Sequence, residues 1–114
     1  MLQTREAKVF LKKPLRSTSV IACNEMAGCQ AASRIAIVIN NSLDVVADVR
    51  VVGNNTPETS LVMPLSDWKP CDSKSSSVIN LVDEWLPYIG VEIKTPTIAT
   101  AGDIEAILFM QEDK

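Results

Sequence analysis

The residue types that most often carry out chemistry in proteins are scarce in this chain. Its 114 residues include no histidine, which removes the commonest general base and the commonest zinc ligand. The serines lack a G-x-S-x-G elbow, and neither they nor the cysteines have a histidine partner to activate them. The four glycines are isolated from one another, so no phosphate-binding loop is present. The sequence therefore predicts a protein that is not an enzyme and that needs no cofactor.

Carboxylates are the remaining candidates for acid–base chemistry or metal binding. Asp67 and Asp72 lie in one predicted loop with Trp68, and could bind a calcium ion together with backbone carbonyls. No D-x-D-x-D-G pattern accompanies them. Asp83 and Glu84 are adjacent, so in a strand they would point to opposite faces. We interpret these acids as turn caps and surface residues, and we expect no metal site.

Three cysteines, Cys23, Cys29 and Cys71, are an odd number in a chain without a predicted signal peptide. This argues against a disulfide scaffold. Cys23 and Cys29 flank a turn-like segment, so one local bridge between them stays open as an alternative. No C-x-x-C pair is present, and free thiols are the prediction.

Targeting and membrane segments are not predicted. Near the N-terminus the longest apolar run covers only residues 9–11, which is too short for a signal-peptide core. No stretch approaches the roughly 20 apolar residues of a membrane span. We expect a cytoplasmic location on these grounds.

The aromatic residues Trp68, Trp85 and Tyr88 cluster in the second half of the chain, and each tryptophan follows an acidic residue. Trp85 and Tyr88 lead directly into a predicted strand, which favours packing in the core or against another subunit. Trp68 stands between Asp67 and Lys69, and is the ring that we expect to be exposed. Exposed rings beside carboxylates also bind sugars by stacking, so a carbohydrate-binding module is the alternative interpretation. Direct nucleic-acid binding is not favoured, because it needs aromatics among basic residues.

Charge is distributed unevenly along the chain, whose formal net charge is -3. Residues 1–16 carry five basic residues against Glu6 alone, or +4, and the remainder carries -7. The basic residues of this segment are Arg5, Lys8, Lys12, Lys13 and Arg16. A basic segment on an acidic body predicts contact between the segment and an acidic protein surface. The alternative is that residues 1–16 contain an edge strand with solvated lysines.

Alternation of apolar and polar residues with period two is the dominant pattern in the middle of the chain. In residues 34–40 the apolar face consists of Ile35, Ile37 and Ile39. In residues 44–52 it consists of Val45, Ala47, Val49 and Val51, with Asp48 and Arg50 exposed on the opposite face. The short polar link at residues 41–43 predicts that the two strands form a hairpin.

The C-terminal part repeats this pattern. Residues 88–94 direct Ile89, Val91 and Ile93 to one face. Residues 103–111 direct Ile104, Ala106, Leu108 and Met110 to one face, with Ile107 and Phe109 on the other. This last strand therefore needs a cover on both faces. The link at residues 95–102, rich in threonine, predicts a loop between paired strands.

Weaker alternation marks residues 6–12, 18–23, 60–65 and 76–82. About eight short strands separated by turn residues predict an all-β fold over residues 1–114. The expected architecture is a single antiparallel β-sandwich, jelly-roll-like.

The C-terminal quarter also carries a resemblance to known proteins. Trp85-Leu-Pro-Tyr88 opens an alternating strand, Pro96 lies in the link, and Gly102 begins the final strand. This order is similar to the closing hairpin of small β-sandwich proteins of tailed phages and prophages, which include capsid decoration (cement) proteins. The resemblance implies a virion component and carries over no functional residue.

These observations together predict a non-catalytic structural or interaction protein. The leading interpretation is a phage virion or capsid decoration protein that assembles with copies of itself. Sandwich edges need covers, so we expect a homo-oligomer, with a trimer favoured. A viral capsid or another acidic protein surface is the expected further partner of the basic segment.

Overall fold

Ten β-strands and no helix make up the described part of the chain. The computed structural model describes residues 3–29, 34–81 and 86–113, and the side chains of residues 3–7 and 111–113 lie outside that description. The strands are β1 (Gln3–Lys13), β2 (Ile21–Ala22), β3 (Ala27–Gly28), β4 (Arg34–Asn41), β5 (Ala47–Asn54), β6 (Met63–Pro64), β7 (Lys69–Cys71), β8 (Ser75–Leu81), β9 (Tyr88–Lys94) and β10 (Ile104–Asp113).

The strands form two antiparallel sheets that pack face to face. Sheet A has the order β1-β10-β4-β8. Sheet B has the order β2-β9-β5-β6, with β3 also on β9 and β7 also on β5. The predicted all-β antiparallel sandwich is confirmed. Ten strands are seen instead of about eight, because each edge of sheet B is divided into two short strands. With each divided edge counted once, the sheets have four strands each.

The predicted apolar faces line the core between the two sheets. Ile37 and Ile39 of β4 are buried, and so are Val49 and Val51 of β5. Burying a Val or Ile side chain contributes roughly 1.5–3 kcal/mol, so these alternating residues hold the sheets together. On the opposite face of β5, Asp48 and Arg50 are half-buried and not exposed as predicted. Arg50 is held there by an ion pair with Glu92.

The predicted hairpin between β4 and β5 is wrong. β4 pairs with β10 and β8 in sheet A, whereas β5 pairs with β9 in sheet B. Residues 42–46 therefore carry the chain from one sheet to the other. The buried amide of Asn41 holds this crossing: its Nδ2 donates to the carbonyls of Val45 and Cys71 at 3.1 and 3.0 Å, and its Oδ1 accepts from Leu43 N at 3.0 Å.

The predicted pairing of β9 with β10 is also wrong, because residues 95–103 cross between the sheets in the same way. Gly102 packs directly against the first crossing and has a positive φ of 84°. A Cβ atom at Gly102 would lie 1.9 Å from Ser42 O. Ser42 N donates to Asp103 O at 2.9 Å. The two crossings therefore brace each other at one end of the sandwich.

The Asp44 carboxylate reinforces this contact between the crossings. It accepts hydrogen bonds from Thr100 N at 2.9 Å and from Thr100 Oγ1 at 2.5 Å. The Thr100 hydroxyl and then the Thr100 backbone N–H lower the pKa of Asp44 to about 2, since hydrogen bonds to the charged form favour it.

Candidate functional site

The basic segment at the N-terminus is largely the edge strand β1 of sheet A. β1 pairs with β10 from Gln3 to Lys13, with a bulge between Val9 and Leu11. The bulge turns both Phe10 and Leu11 into the core, where they are buried. Residues 3–13 are therefore part of the sandwich and not a separate arm.

The positive charges of this segment lie in different surroundings. Lys8 forms an ion pair with Glu25 at 2.7 Å. Lys12 is exposed and Lys13 is half-buried at the end of β1. Arg16 is exposed and donates to Gly102 O at 3.1 Å. The side chain of Arg5 lies outside the described residues. Their predicted role in binding an acidic surface stays a prediction.

Trp68 lies over the outer surface of sheet B and is half-buried. The guanidinium carbon of Arg50 is 4.5 Å from the centroid of the Trp68 ring, and Lys94 Nζ is 4.3 Å from it. Arg50 also forms an ion pair with Glu92 at 2.6 Å. Cation–π contacts of this kind contribute about 0.5–2 kcal/mol. Arg50 and Lys94 therefore occupy part of the Trp68 ring surface on which a sugar would have to stack.

The other aromatic and acidic candidates do not join Trp68 in one described site. Tyr88 is half-buried and packs against the core cluster, and Trp85 lies outside the described residues. Asp67 and Asp72 are exposed. Among the residues that the structure describes, no group of three acidic or cysteine side chains is placed to hold a metal ion.

All three cysteines are free and buried. Cys23 Sγ lies 3.9 Å from Met26 Sδ, and Cys29 Sγ lies 3.4 Å from Met110 Sδ. Desolvation raises the pKa of the Cys29 thiol to about 11, and burial also raises the pKa of Cys23 and Cys71. Such thiols are poor nucleophiles, because the thiolate is the reactive form.

The outer face of sheet A carries a continuous apolar surface. Val9, Ile107, Val38 and Val78 are register partners on the four successive strands, and we call them the apolar row. Val9 and Val78, at its ends, are 54% and 57% exposed. Phe109, 44% exposed, lies two residues along β10 from Ile107 on the same face. Exposed apolar patches rimmed by polar residues mark interaction sites.

Only part of this surface could be predicted from the sequence. The second apolar face of β10, with Ile107 and Phe109, was predicted from alternation. Val9, Val38 and Val78 were missed as a group, because only the pairing of distant strands places them in one row.

A polar border runs beside the apolar row. Lys12, Glu105, Asn40 and Ser76 are the corresponding register partners on the four strands. Asn40 Nδ2 donates to Glu105 Oε1 at 3.0 Å, and Ser76 Oγ donates to Asn40 Oδ1 at 2.7 Å. The apolar surface therefore has an ordered polar rim on this side, as interaction surfaces commonly do.

Among known proteins, solved structures with a similar fold are found, whereas sequence comparisons find no match. No protein-family model matches the chain. No curated protein matches it at a significant level. Among the solved structures, the chain is similar to the SPBc2 prophage-derived protein YomS, with a TM-score of 0.60, 10% identity and coverage of 98% of this chain and 96% of that chain.

Two further solved structures share the architecture. The coat protein of Tobacco streak virus gives a TM-score of 0.59 at 8% identity, over 98% of this chain and 86% of that chain. A protein of Bacillus endospore appendages, described as a novel family of disulfide-linked pili, gives a TM-score of 0.61 at 6% identity, over 97% of this chain and 86% of that chain. At these identities the similarity shows the fold alone.

Within the described residues, no helix has the length and apolarity that crossing a membrane requires.

Proposed function

We propose that this protein is a non-catalytic structural component that self-assembles, in the virion of a phage or prophage, where it serves as a coat or capsid decoration protein. The observation that carries the proposal is the apolar row on the outer face of sheet A. A chain that stayed alone would leave Val9, Val78 and Phe109 in water, and burying such side chains contributes roughly 1.5–3 kcal/mol each.

The similar structures support the same class of function. One is a viral coat protein, one is prophage-derived, and one belongs to pili. All three resemble this chain over nearly its whole length. The disulfide linkage named for the pili has no counterpart in our proposal, because the three cysteines here are buried. Assembly through non-covalent contacts is what we propose.

Light scattering at micromolar concentrations tests self-assembly directly. We expect a mass that is a multiple of the chain mass, and the same measurement tests the trimer that the sequence favoured. Phe109→Ser should lower the assembled fraction by removing apolar area from the surface. Ile98→Ser is the matched control, because Ile98 is 59% exposed but lies in the loop between β9 and β10. A wild-type protein that stays monomeric at every concentration would refute self-assembly.

Co-sedimentation tests the virion assignment. The protein should pellet with phage particles from the organism that encodes it. If the basic residues of β1 contact an acidic shell protein, changing Lys8, Lys12 and Lys13 together to Gln should reduce the pelleted fraction. Added salt should do the same, since exposed charges are screened beyond about 8–10 Å. Pelleting that neither salt nor the triple variant changes would refute a role for these charges.

A further inference from the structure

Three of the four sheet edges of this sandwich carry features that prevent strand addition. The edge of sheet B formed by β6 and β7 is short and contains Pro64 and Pro70, which cannot donate a backbone hydrogen bond. The opposite edge consists of the two-residue strands β2 and β3. Very short edge strands and prolines are among the devices by which proteins avoid edge-to-edge pairing.

The β1 edge of sheet A is blocked in a different way. Its ladder is broken by the bulge between Val9 and Leu11. Phe10 O accepts a hydrogen bond from Asn24 N at 3.0 Å, so a segment of the sheet B edge already occupies this part of β1. The ion pair of Lys8 with Glu25 lies beside it. Bulges and charged residues at an edge both oppose pairing with another chain.

The β8 edge of sheet A has none of these devices. Ser75–Leu81 is a regular strand of seven residues without a charge, a proline or a register shift. In the described part of the chain, β4 is its partner strand and no second strand covers its other side. Ser76, Val78 and Asn80 are exposed. A strand of this kind is a template for main-chain pairing.

We propose that β8 pairs antiparallel with β8 of a second copy of this chain, about a two-fold axis at Val78. The inference rests on the self-assembly proposed above and adds a contact at the edge of sheet A to the contact through its outer face. Backbone hydrogen bonds between the two β8 strands join the two four-stranded sheets A into one eight-stranded sheet. Two-fold dimers of this kind use the same surface on both subunits, which must be complementary to itself.

The sequence of β8 meets this requirement for self-complementarity. Pairing about Val78 places Val78 opposite the partner's Val78 and Ser76 opposite the partner's Asn80. No like charges meet, because β8 carries no charge. The apolar row ends at Val78 on this edge, so the two rows join into one row of eight residues across the dimer. A foreign strand would have to supply the same polar–apolar–polar pattern, which a second copy supplies by symmetry.

Cysteine cross-linking tests the pairing and its register. Directly opposite residues in antiparallel strands have Cβ atoms about 4.5–5.5 Å apart, close to the range that a disulfide bridges. Val78→Cys should therefore give a covalent dimer under mild oxidation. Ser76→Cys is the matched control: the two residues at this position would be four residues apart along the paired strands, or roughly 13 Å, and should not cross-link. Cross-linking of Ser76→Cys without Val78→Cys, or of neither, would overturn the proposal.

Two separate lysine variants distinguish the β8 pairing from self-assembly in general. Val78→Lys places two like charges at the two-fold axis and should lower the dimer fraction severalfold. Ile98→Lys is the control, because Ile98 is 59% exposed, like Val78 at 57%, but lies in the loop between β9 and β10 and outside the apolar row. We expect Ile98→Lys to dimerise like the wild type, and circular dichroism to show both variants folded. If both variants keep the wild-type mass, the β8 pairing is wrong while self-assembly stands. A monomeric wild type would refute both.

Discussion

Replacing Gly102 by alanine tests the contact between the two chain crossings. Gly102 has a φ of 84°, a conformation that costs a residue with a side chain roughly 1–2 kcal/mol. The added Cβ would lie 1.9 Å from Ser42 O and 2.6 Å from Ser42 C. These are backbone atoms, so a side-chain rotation cannot relieve the overlap and the loops must separate.

The expected loss of stability follows from the hydrogen bonds that would break when the two loops separate. Ser42 N donates to Asp103 O at 2.9 Å, and Asp44 N donates to Ala101 O at 3.2 Å. Each such bond contributes about 0.5–1.5 kcal/mol. With the cost of the backbone conformation, Gly102→Ala should lower the free energy of unfolding by about 2–5 kcal/mol.

Urea unfolding followed by circular dichroism measures this loss. With an m-value of about 1–3 kcal/mol/M, the midpoint should fall by at least about 0.7 M. Gly28→Ala is the matched control, because its Cβ would lie 3.7 Å from Tyr88 Cε1, an ordinary contact, and should change stability by less than about 0.5 kcal/mol. Equal midpoints for the two variants would refute the close packing of the crossings.

Three further outcomes are expected. Val49→Asp buries an unpaired charge in the core and should lower the free energy of unfolding by at least about 3 kcal/mol. Arg50→Ser on the outer face should lower it by about 1–3 kcal/mol, and equal losses of stability for the two variants would show that the register of β5 is wrong. The pKa of Asp44 is about 2 in the folded chain against 3.8 ordinarily, so its stabilising contribution is present above pH 3.8 and is lost as the pH falls from about 4 to 2. This loss of stability should be smaller in Asp44→Ala, and identical pH profiles for the two proteins would exclude the contribution. Deleting residues 1–13 removes the buried Phe10 and should abolish the β-sheet signal in circular dichroism, whereas a folded deletion variant would show that β1 is dispensable.

The inward faces of the strands could be predicted from the sequence, whereas their partners could not. Ile37 and Val49 are buried as expected, because period-two alternation is a local property of a strand. The two hairpins were predicted wrongly, because the crossings depend on contacts that are distant in sequence. Asn41 binds Cys71 O, and Gly102 packs on Ser42. No local pattern indicates either contact.

The environment of Trp68 could not be predicted for the same reason. Its neighbours Arg50 and Lys94 come from β5 and β9. These strands are adjacent only in the folded sheet. Local sequence placed Trp68 between Asp67 and Lys69, and so indicated an exposed ring with acidic neighbours. The folded chain instead gives the ring two basic contacts.

The two sheets differ in how their outer faces are covered, and this difference favours assembly through sheet A. On sheet B, the sulfur of Met26 would lie 2.4 Å from a Cβ at Gly90, so the segment between β2 and β3 packs directly on the sheet. Trp68 covers the neighbouring part of the same face. On sheet A, Val78 and Phe109 remain exposed. The chain therefore covers the outer face of sheet B with its own side chains and leaves the outer face of sheet A apolar and exposed. In the self-assembly that we propose, sheet A therefore faces the partner and the charged face of sheet B faces water.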